Sequence, residues 1–346
     1  VSVAPAIRPL TLDDIPAVLD IWAAQRARAH GLDVGWERQL AERRAYLETG
    51  LRATLAHESG GVRALVAPAG ERLAAYLIAH EVRLPPDSGY RAYAPDHFLS
   101  IGSDDWGLAD PRDGDALATL YAAIAEWGLQ RGADAQMLAI QRGNDSAELW
   151  RDLGFSRQDE YAFLPLALAR PAVPGVTVRE ATAADLDTAT RLTLAEAHHH
   201  HRAPIFAFAP PGLDAARRRD MANNLDNPVA IVLLAEIAGV AIGSLIAHPL
   251  DQLGRWMPSV TPTPCLFIES AFVEPTARGQ GVLRALVARL AALAGQRALM
   301  GLFVTYLPAN RGAARAWRGL GFTPLLGVHQ RRIDPRAANQ HRAEGA

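Results

Sequence analysis

The feature that most constrains the fold of this chain is an internal duplication. Arg8-Pro-Leu-Thr-Leu-Asp-Asp14 returns as Arg179-Glu-Ala-Thr-Ala-Ala-Asp185, Leu77-Ile-Ala-His80 returns as Leu245-Ile-Ala-His248, and Trp150-Arg-Asp-Leu-Gly-Phe155 returns as Trp317-Arg-Gly-Leu-Gly-Phe322. The offsets are 171, 168 and 167 residues, in the same order. Three matches in register point to one folding unit used twice, and 346 residues suffice for two domains with separate cores. The first motif reads as a strand end followed by a helix start, with Thr as the cap. The second closes an apolar hairpin, and the third ends a helix at glycine.

Each copy therefore reads strand, helical region, strand hairpin, strand, helix, strand, helix, strand. In the second copy these fall at 176–180, 183–225, 229–248, 265–273, 281–295, 299–305, 310–320 and 323–333. A hairpin followed by strand–helix–strand crossovers predicts an α/β fold in α+β layers, a mixed, largely antiparallel sheet flanked by helices. The division is residues 1–170 and 176–333, joined by a linker at Pro171-Ala-Val-Pro-Gly175 and followed by a polar, frayed tail at 334–346.

The stretch that carries chemistry is Cys265–Ala294. It reads as a buried strand (265–273), a turn begun by Pro275, the loop Arg278-Gly279-Gln280-Gly281, and a helix. The apolar face of that helix is Leu283, Leu286, Val287, Leu290 and Leu293. Backbone N–H groups in such a loop lack intrahelical partners and, with the helix dipole, suit a phosphate or pyrophosphate. Gly279 and Gly281 let the backbone approach closely, and Arg278 and Arg284 can pair with an anion. A P-loop is excluded because the chain contains no lysine. A dinucleotide fingerprint fails because Arg284 stands where the third glycine belongs. An ordinary glycine turn before a surface helix is the bland alternative.

The loop resembles the acyl-CoA loop of the GNAT acetyltransferase superfamily, which runs Arg or Gln, two residues, Gly, one residue, Gly or Ala. Arg278 and Gly281 fit, and Leu283 departs at the last place. The element order resembles that fold too, throughout the second copy and more faintly in the first. The resemblance implies acetyl-CoA as co-substrate, held by Phe272, Val273, Arg278, Gly279, Gln280, Gly281, Val282, Leu283, Arg284 and Asn310, with Phe272 lining the pantetheine and the Val273 N–H as oxyanion donor. Asn310-Arg-Gly-Ala313 resembles the start of the family's last helix, where the Asn commonly contacts CoA. The first copy carries Ala109-Asp-Pro-Arg-Asp-Gly-Asp115 instead, and Asp110, Asp113 and Asp115 would repel a polyanion. It is expected to shape structure or substrate without binding CoA.

Acetyl transfer to an amine needs a base, an oxyanion donor and an outlet for the thiolate. Glu269, inside Leu266-Phe-Ile-Glu-Ser-Ala-Phe-Val273, shares by alternation the face of Ala271 and Val273, and apolar neighbours would raise its pKa toward that of a base. Several aminoglycoside acetyltransferases of the family carry a glutamate at a similar offset. A carboxylate bonded to a neighbouring strand or Arg is the structural alternative. The family's usual acid is a tyrosine at the place of Trp317, whose indole gives up no proton near neutrality. Tyr306, at the end of the next strand, is the candidate substitute; otherwise water protonates the thiolate or the general-acid step is absent. His198-His-His-His201 reads as a solvated run, with acceptor contact or base as the second reading and a metal as the third. Phe206, Phe208, Pro210 and Pro211 are candidate walls of the acceptor pocket.

Composition removes other classes. Charge is near balance, 35 basic residues against 37 acidic, so nothing favours nucleic acid or an anionic membrane. The apolar run Pro228–Leu250 is long enough to span a bilayer, but Glu236 and Gly239 interrupt it and it reads as two strands and a tight turn. The single cysteine, Cys265, allows no internal disulfide, and no charged-then-apolar leader opens the sequence, so a cytoplasmic location is expected. The expectation is an N-acetyltransferase acting on the primary amine of a small molecule by direct transfer in a ternary complex. Its rivals are a non-catalytic CoA-binding or assembly module and a peptide or protein N-acetyltransferase; mycothiol-forming enzymes of the family are also tandem. Oligomeric state is open.

Overall fold

The duplicated opening motif builds the same local device twice. Arg8 reaches Asp14 at 2.6 Å, and the Asp14 carboxylate accepts the Thr11 N–H at 2.9 Å. Arg179 reaches Asp185 at 2.7 Å, and Asp185 accepts the Thr182 N–H at 2.8 Å. Each is a capping box that turns an edge strand into a helix by satisfying amides the first turn leaves open.

The computed structural model describes residues 6–29, 36–56, 60–86, 88–250 and 264–344. The first half comprises β1 (Arg8–Pro9), α1 (Ile15–Ala29), α2 (Trp36–Ala56), β2 (Val62–Ala69), β3 (Arg72–Arg83), β4 (His97–Ile101), β5 (Trp106–Leu108), α3 (Gly114–Gln130), β6 (Ala135–Gln141), α4 (Ala147–Asp152) and β7 (Ser156–Pro165). The second comprises β8 (Thr177–Glu180), α5 (Leu186–His201), α6 (Leu213–Asp226), β9 (Ile231–Ile237), β10 (Val240–Pro249), β11 (Cys265–Val273), α7 (Val282–Gln296), β12 (Gly301–Tyr306), α8 (Arg311–Gly319) and β13 (Thr323–Arg332). The apolar run at 228–250 is the β9–β10 hairpin, turned at Ala238 and Gly239, both at positive φ. No helix among the described residues is long and apolar enough to cross a membrane.

All strands among the described residues join one 13-stranded sheet, ordered β1-β2-β3-β4-β6-β13-β7-β12-β11-β10-β9-β8, with β5 beside β3. The β4–β6 and β11–β12 pairs are parallel and the others antiparallel. The last strands of the two halves have changed places. β13 lies against β6 of the first half, and β7 lies against β12 of the second. The cores follow the exchange: Ala162 and Leu164 of β7 pack with Leu286, Leu290 and Val304 of the second half.

The helix predicted after the glycine loop is α7. Its Leu286 and Leu290 are fully buried, each contributing roughly 1.5–3 kcal/mol by leaving water. The residues after β13 are not a frayed tail. Pro335–Glu344 form a further helix, α9, which packs on α3, and Ala338 is buried. The small Ala338 lets that otherwise polar helix lie close to the first half.

Candidate active site

The site forms where two strands part. β11 and β12 are paired only from Cys265 and Gly301 to Ile268 and Val304. β12 then follows β7 while β11 stays with β10, and a gap opens between them. A β-bulge sits at the parting: Ile246 faces Ser270, Ala247 faces Ile268, and Glu269 has no opposite residue on β10.

That one extra residue reverses the alternation. Ile268 and Ala271 both pack on the α7 side of the sheet, whereas Ser270 and Phe272 turn toward α5. The expectation that Glu269 shares a face with Ala271 and Val273, desolvated among apolar side chains, is therefore corrected. Its side chain is 42% exposed, and His248 Nε2 lies 2.8 Å from its carboxylate. Glu274 N–H donates to Ile242 at 2.9 Å, and bonded pairs alternate along an antiparallel ladder, so the Val273 N–H points away from β10 into the gap.

The glycine loop presents open amides. Gly281 caps α7 at φ 83° with no side-chain cap, and the Ala285 N–H is the first in the helix to find an acceptor, Gly281 O at 3.0 Å. Gly279 is also left-handed, at φ 79°. Arg284 Nε is buried without a partner among the described residues. An anion is what such a donor and such amides lack, so the residues fit a CoA pyrophosphate. The other loop residues are partly committed. Arg278 Nε donates to Val273 O at 3.2 Å, with its guanidinium 5.9 Å from the Phe272 ring centre, and Gln280 Nε2 donates to Thr276 O at 3.0 Å. Val282 is buried and Leu283 packs on the core.

A cavity of about 150 Å³ lies at the gap; Phe272, Val273 and the loop residues Arg278–Arg284 stand outside its lining. Val304, Ala313 and Trp317 line it from the α7–α8 side, and Tyr161, Glu196 and His200 from the other. Tyr90, Tyr93, Asp159 and Tyr161 come from the first half, the last two on the exchanged strand β7. Asn310 caps α8, its Oδ1 accepting the Ala313 N–H at 3.1 Å, and its Nδ2 lies 3.4 Å from His200 Nε2. Tyr306 lines the cavity, but its hydroxyl donates to Glu160 at 3.0 Å and accepts from Arg318 at 3.3 Å. Burial raises its pKa further.

The four histidines diverge. His198 lies 3.9 Å from Asp214, His201 Nδ1 is 2.8 Å from Ala207 O, and His199 feels the charge of Arg278. His200 turns inward, with the Tyr93 hydroxyl 3.0 Å from its Nδ1, and burial pulls its pKa down to about 4. The solvated run thus has one member in the cavity, held neutral. No group of three metal-ligating side chains occurs among the described residues. Phe206 and Phe208 are exposed and do not line the cavity. Cys265 is buried and its thiol is pushed up to about 12, which suits a core residue and no nucleophile.

Two carboxylates escaped the sequence reading. Glu196 on α5 is half-buried, accepts from Ser270 Oγ and the Ala271 N–H, and desolvation pushes its pKa up to about 7. Its position four residues before His200, on one helix face, was the available signal. Asp159 is buried and desolvation likewise pushes it up to about 7. It lies in the first half, and nothing local marks it as part of this site.

Residues 195–322 match the Acetyltransferase (GNAT) family. Across nearly its whole length the chain is similar to a GCN5-related N-acetyltransferase from Sphaerobacter thermophilus, with 19% identity, 97% of this chain and 98% of that chain covered, and a TM-score of 0.54. It is also similar to a tandem GNAT protein from the clavulanic acid biosynthesis pathway, with 15% identity, coverage of 95% and 99%, and a TM-score of 0.48. An aminoglycoside N-acetyltransferase in complex with CoA matches at 21% identity over 47% of this chain and 95% of that chain, with a TM-score of 0.36. No curated protein matches the sequence.

Proposed function

We propose that this chain is a GNAT acetyltransferase whose second half, where residues 195–322 match that family, transfers an acetyl group from acetyl-CoA to a primary amine of a small molecule, directly in a ternary complex. The observation that carries this reading is the cavity at the parting of β11 and β12, lined by carboxylates, with β11 leading from it through the outward Val273 N–H to the open loop amides. Bound there, acetyl-CoA supplies an acyl thioester. Gly279, Gln280, Gly281, Val282 and Leu283 offer backbone amides, Arg278 and Arg284 offer charge, and Phe272 and Asn310 flank the route. The Val273 N–H is the donor for the developing oxyanion.

Glu269 takes the proton that the amine loses on attack. Its exposure at the cavity mouth gives an incoming amine access, and His248 fixes its orientation. Tyr306 is the proposed donor to the thiolate, although its proton is directed at Glu160 in the resting site. One observation favours a second assignment of the base: Glu196 has the pKa, about 7, that suits proton abstraction at neutrality. A further reading, a non-catalytic CoA-binding module, is favoured by Trp317 at the usual place of the acid and by the committed Tyr306 hydroxyl.

The experiment is a screen of amine acceptors with acetyl-CoA, read by release of free thiol. Thiol release that depends on the amine supports transfer. CoA binding in calorimetry with no amine-dependent release would replace the enzyme by the binding module.

A further inference from the structure

We propose that the acceptor is a slender aliphatic amine with a second ammonium group, and that the first half binds that second charge through Asp159. The inference rests on the acetyltransferase reading and adds the acceptor's chemical class.

The cavity lining is acidic. Asp159, Glu196 and Glu269 line it, and no arginine does among the described residues. The other ionisable neighbours do not cancel the bias. His200 is held neutral, and His248 is paired with Glu269. Arg217, on α6, acts on Glu196, Tyr93 and His200 from outside the lining.

Asp159 is the informative member. It is 9% exposed, it lines the cavity, and it has no hydrogen-bond donor among the described residues. Its desolvated carboxylate opens on the cavity, where a cationic guest would supply a charged donor. Tyr90 and Tyr161 lie within its electrostatic reach, and their rings offer negative faces to an ammonium group. The glutamates flank the reacting end, at the bulge where the strands part. Asp159 lies on the exchanged strand β7, which β12 separates from β11, so the acceptor's two charges would be read by different halves of the chain.

Size narrows the class. The cavity holds about 150 Å³, below the roughly 300–1,000 Å³ usual for drug-sized ligands, which suits an alkyl chain better than a saccharide ring system.

The test uses the full chain with acetyl-CoA and two probes of equal length, 1-aminobutane and 1,4-diaminobutane. A charged hydrogen bond of this kind predicts a kcat/KM about 10- to 100-fold higher for the diamine. In Asp159→Asn the ratio of the two values should fall toward one, chiefly through KM for the diamine. A purely structural role would lower both values together and leave the ratio unchanged. Equal kcat/KM values in the unaltered protein would overturn the proposal without any variant. If acetyl-CoA binds but neither amine is acetylated, the transferase reading fails, and calorimetry with 1,4-diaminobutane decides the cation site by itself. Binding weakened by Asp159→Asn upholds the site, and absence of binding removes it.

Discussion

The two halves start from the same plan and put different things in the same place. In the second half the strands part at a one-residue bulge and leave a cavity. In the first, the matching strand is interrupted by residues 102–105 and resumes as β5, whose Trp106 donates its indole N–H across the gap to Ala139 O at 3.1 Å. Trp150, at the position that Trp317 holds in the other copy, packs on Trp106 with ring centres 5.4 Å apart. The cleft is filled with aromatic rings.

The helix ends differ in the same sense. Asp113 corresponds to Gly281, and its carboxylate already accepts the Ala116 N–H at 3.0 Å, the kind of amide that the second half leaves open. Gln25 stands where Glu196 stands and, among the described residues, bonds to β5 backbone at Trp106 O and the Leu108 N–H. A few substitutions thus close the gap between the strands in one half and leave it open in the other, by filling space and by placing negative charge where an anion would lie, while the first half keeps a cavity of about 610 Å³ elsewhere, between α1, α2 and β3.

The strongest way to break this comparison is at the loop. Gly281→Glu should abolish CoA binding, but the residue is at φ 83° and a Cβ there would fall 2.3 Å from Val173 Cγ2, so a melting curve must accompany it. Gln280→Glu carries the charge on an exposed side chain without that clash, and affinity should fall at least about tenfold, or ~1.4 kcal/mol. Unchanged affinity in calorimetry would end the phosphate-loop reading. The unaltered chain should bind one CoA; a stoichiometry of two would erase the contrast between the halves.

The carboxylates come next. Glu269→Gln should lower turnover by about 10²–10⁴-fold with CoA affinity nearly unchanged, and the deficit should shrink at high pH, where more of the amine is already deprotonated. If Glu196 is the base instead, Glu269→Gln keeps most of its rate. A base works in its deprotonated form, so the rate would then rise through about pH 7, and Glu196→Gln would remove that limb.

Trp106→Ala tests the plug. It should cost about 3–5 kcal/mol in denaturant unfolding, as large aromatic truncations do, and should create no second CoA site while Asp113 caps its helix. The appearance of one would mean that packing alone separates the halves.

The smallest effect concerns what the halves share. Asp14→Asn and Asp185→Asn should each cost about 1 kcal/mol, the usual worth of a cap. Hydrogen bonding from Arg8 lowers Asp14 to about 2, and Arg179 holds Asp185 well below the usual carboxylate range. A depressed carboxylate stabilises the fold above its unfolded pKa, so this stability should be intact at neutrality and, for Asp14, disappear as pH falls from about 4 toward about 2. Unequal losses in the two variants would show that the repeated motif does not do the same work twice.

Much of this was written locally. The capping boxes, the β9–β10 hairpin, α7 and its left-handed glycine follow from residue types within one or two turns of each other, and the duplication follows from their recurrence. The bulge at Glu269 was not legible, because an extra residue in one strand shows only against the register of its partner, and it reversed the faces inferred from alternation. The burial of Glu196 and Asp159 was equally hidden, since each is desolvated by elements distant in sequence. The exchange of β7 and β13 lies furthest from sequence. Both strands run antiparallel to both of their neighbours, so either order satisfies the ladder hydrogen bonds equally. Only the packing of the whole chain selects the order that brings Asp159 and Tyr161 of the first half into the cavity of the second.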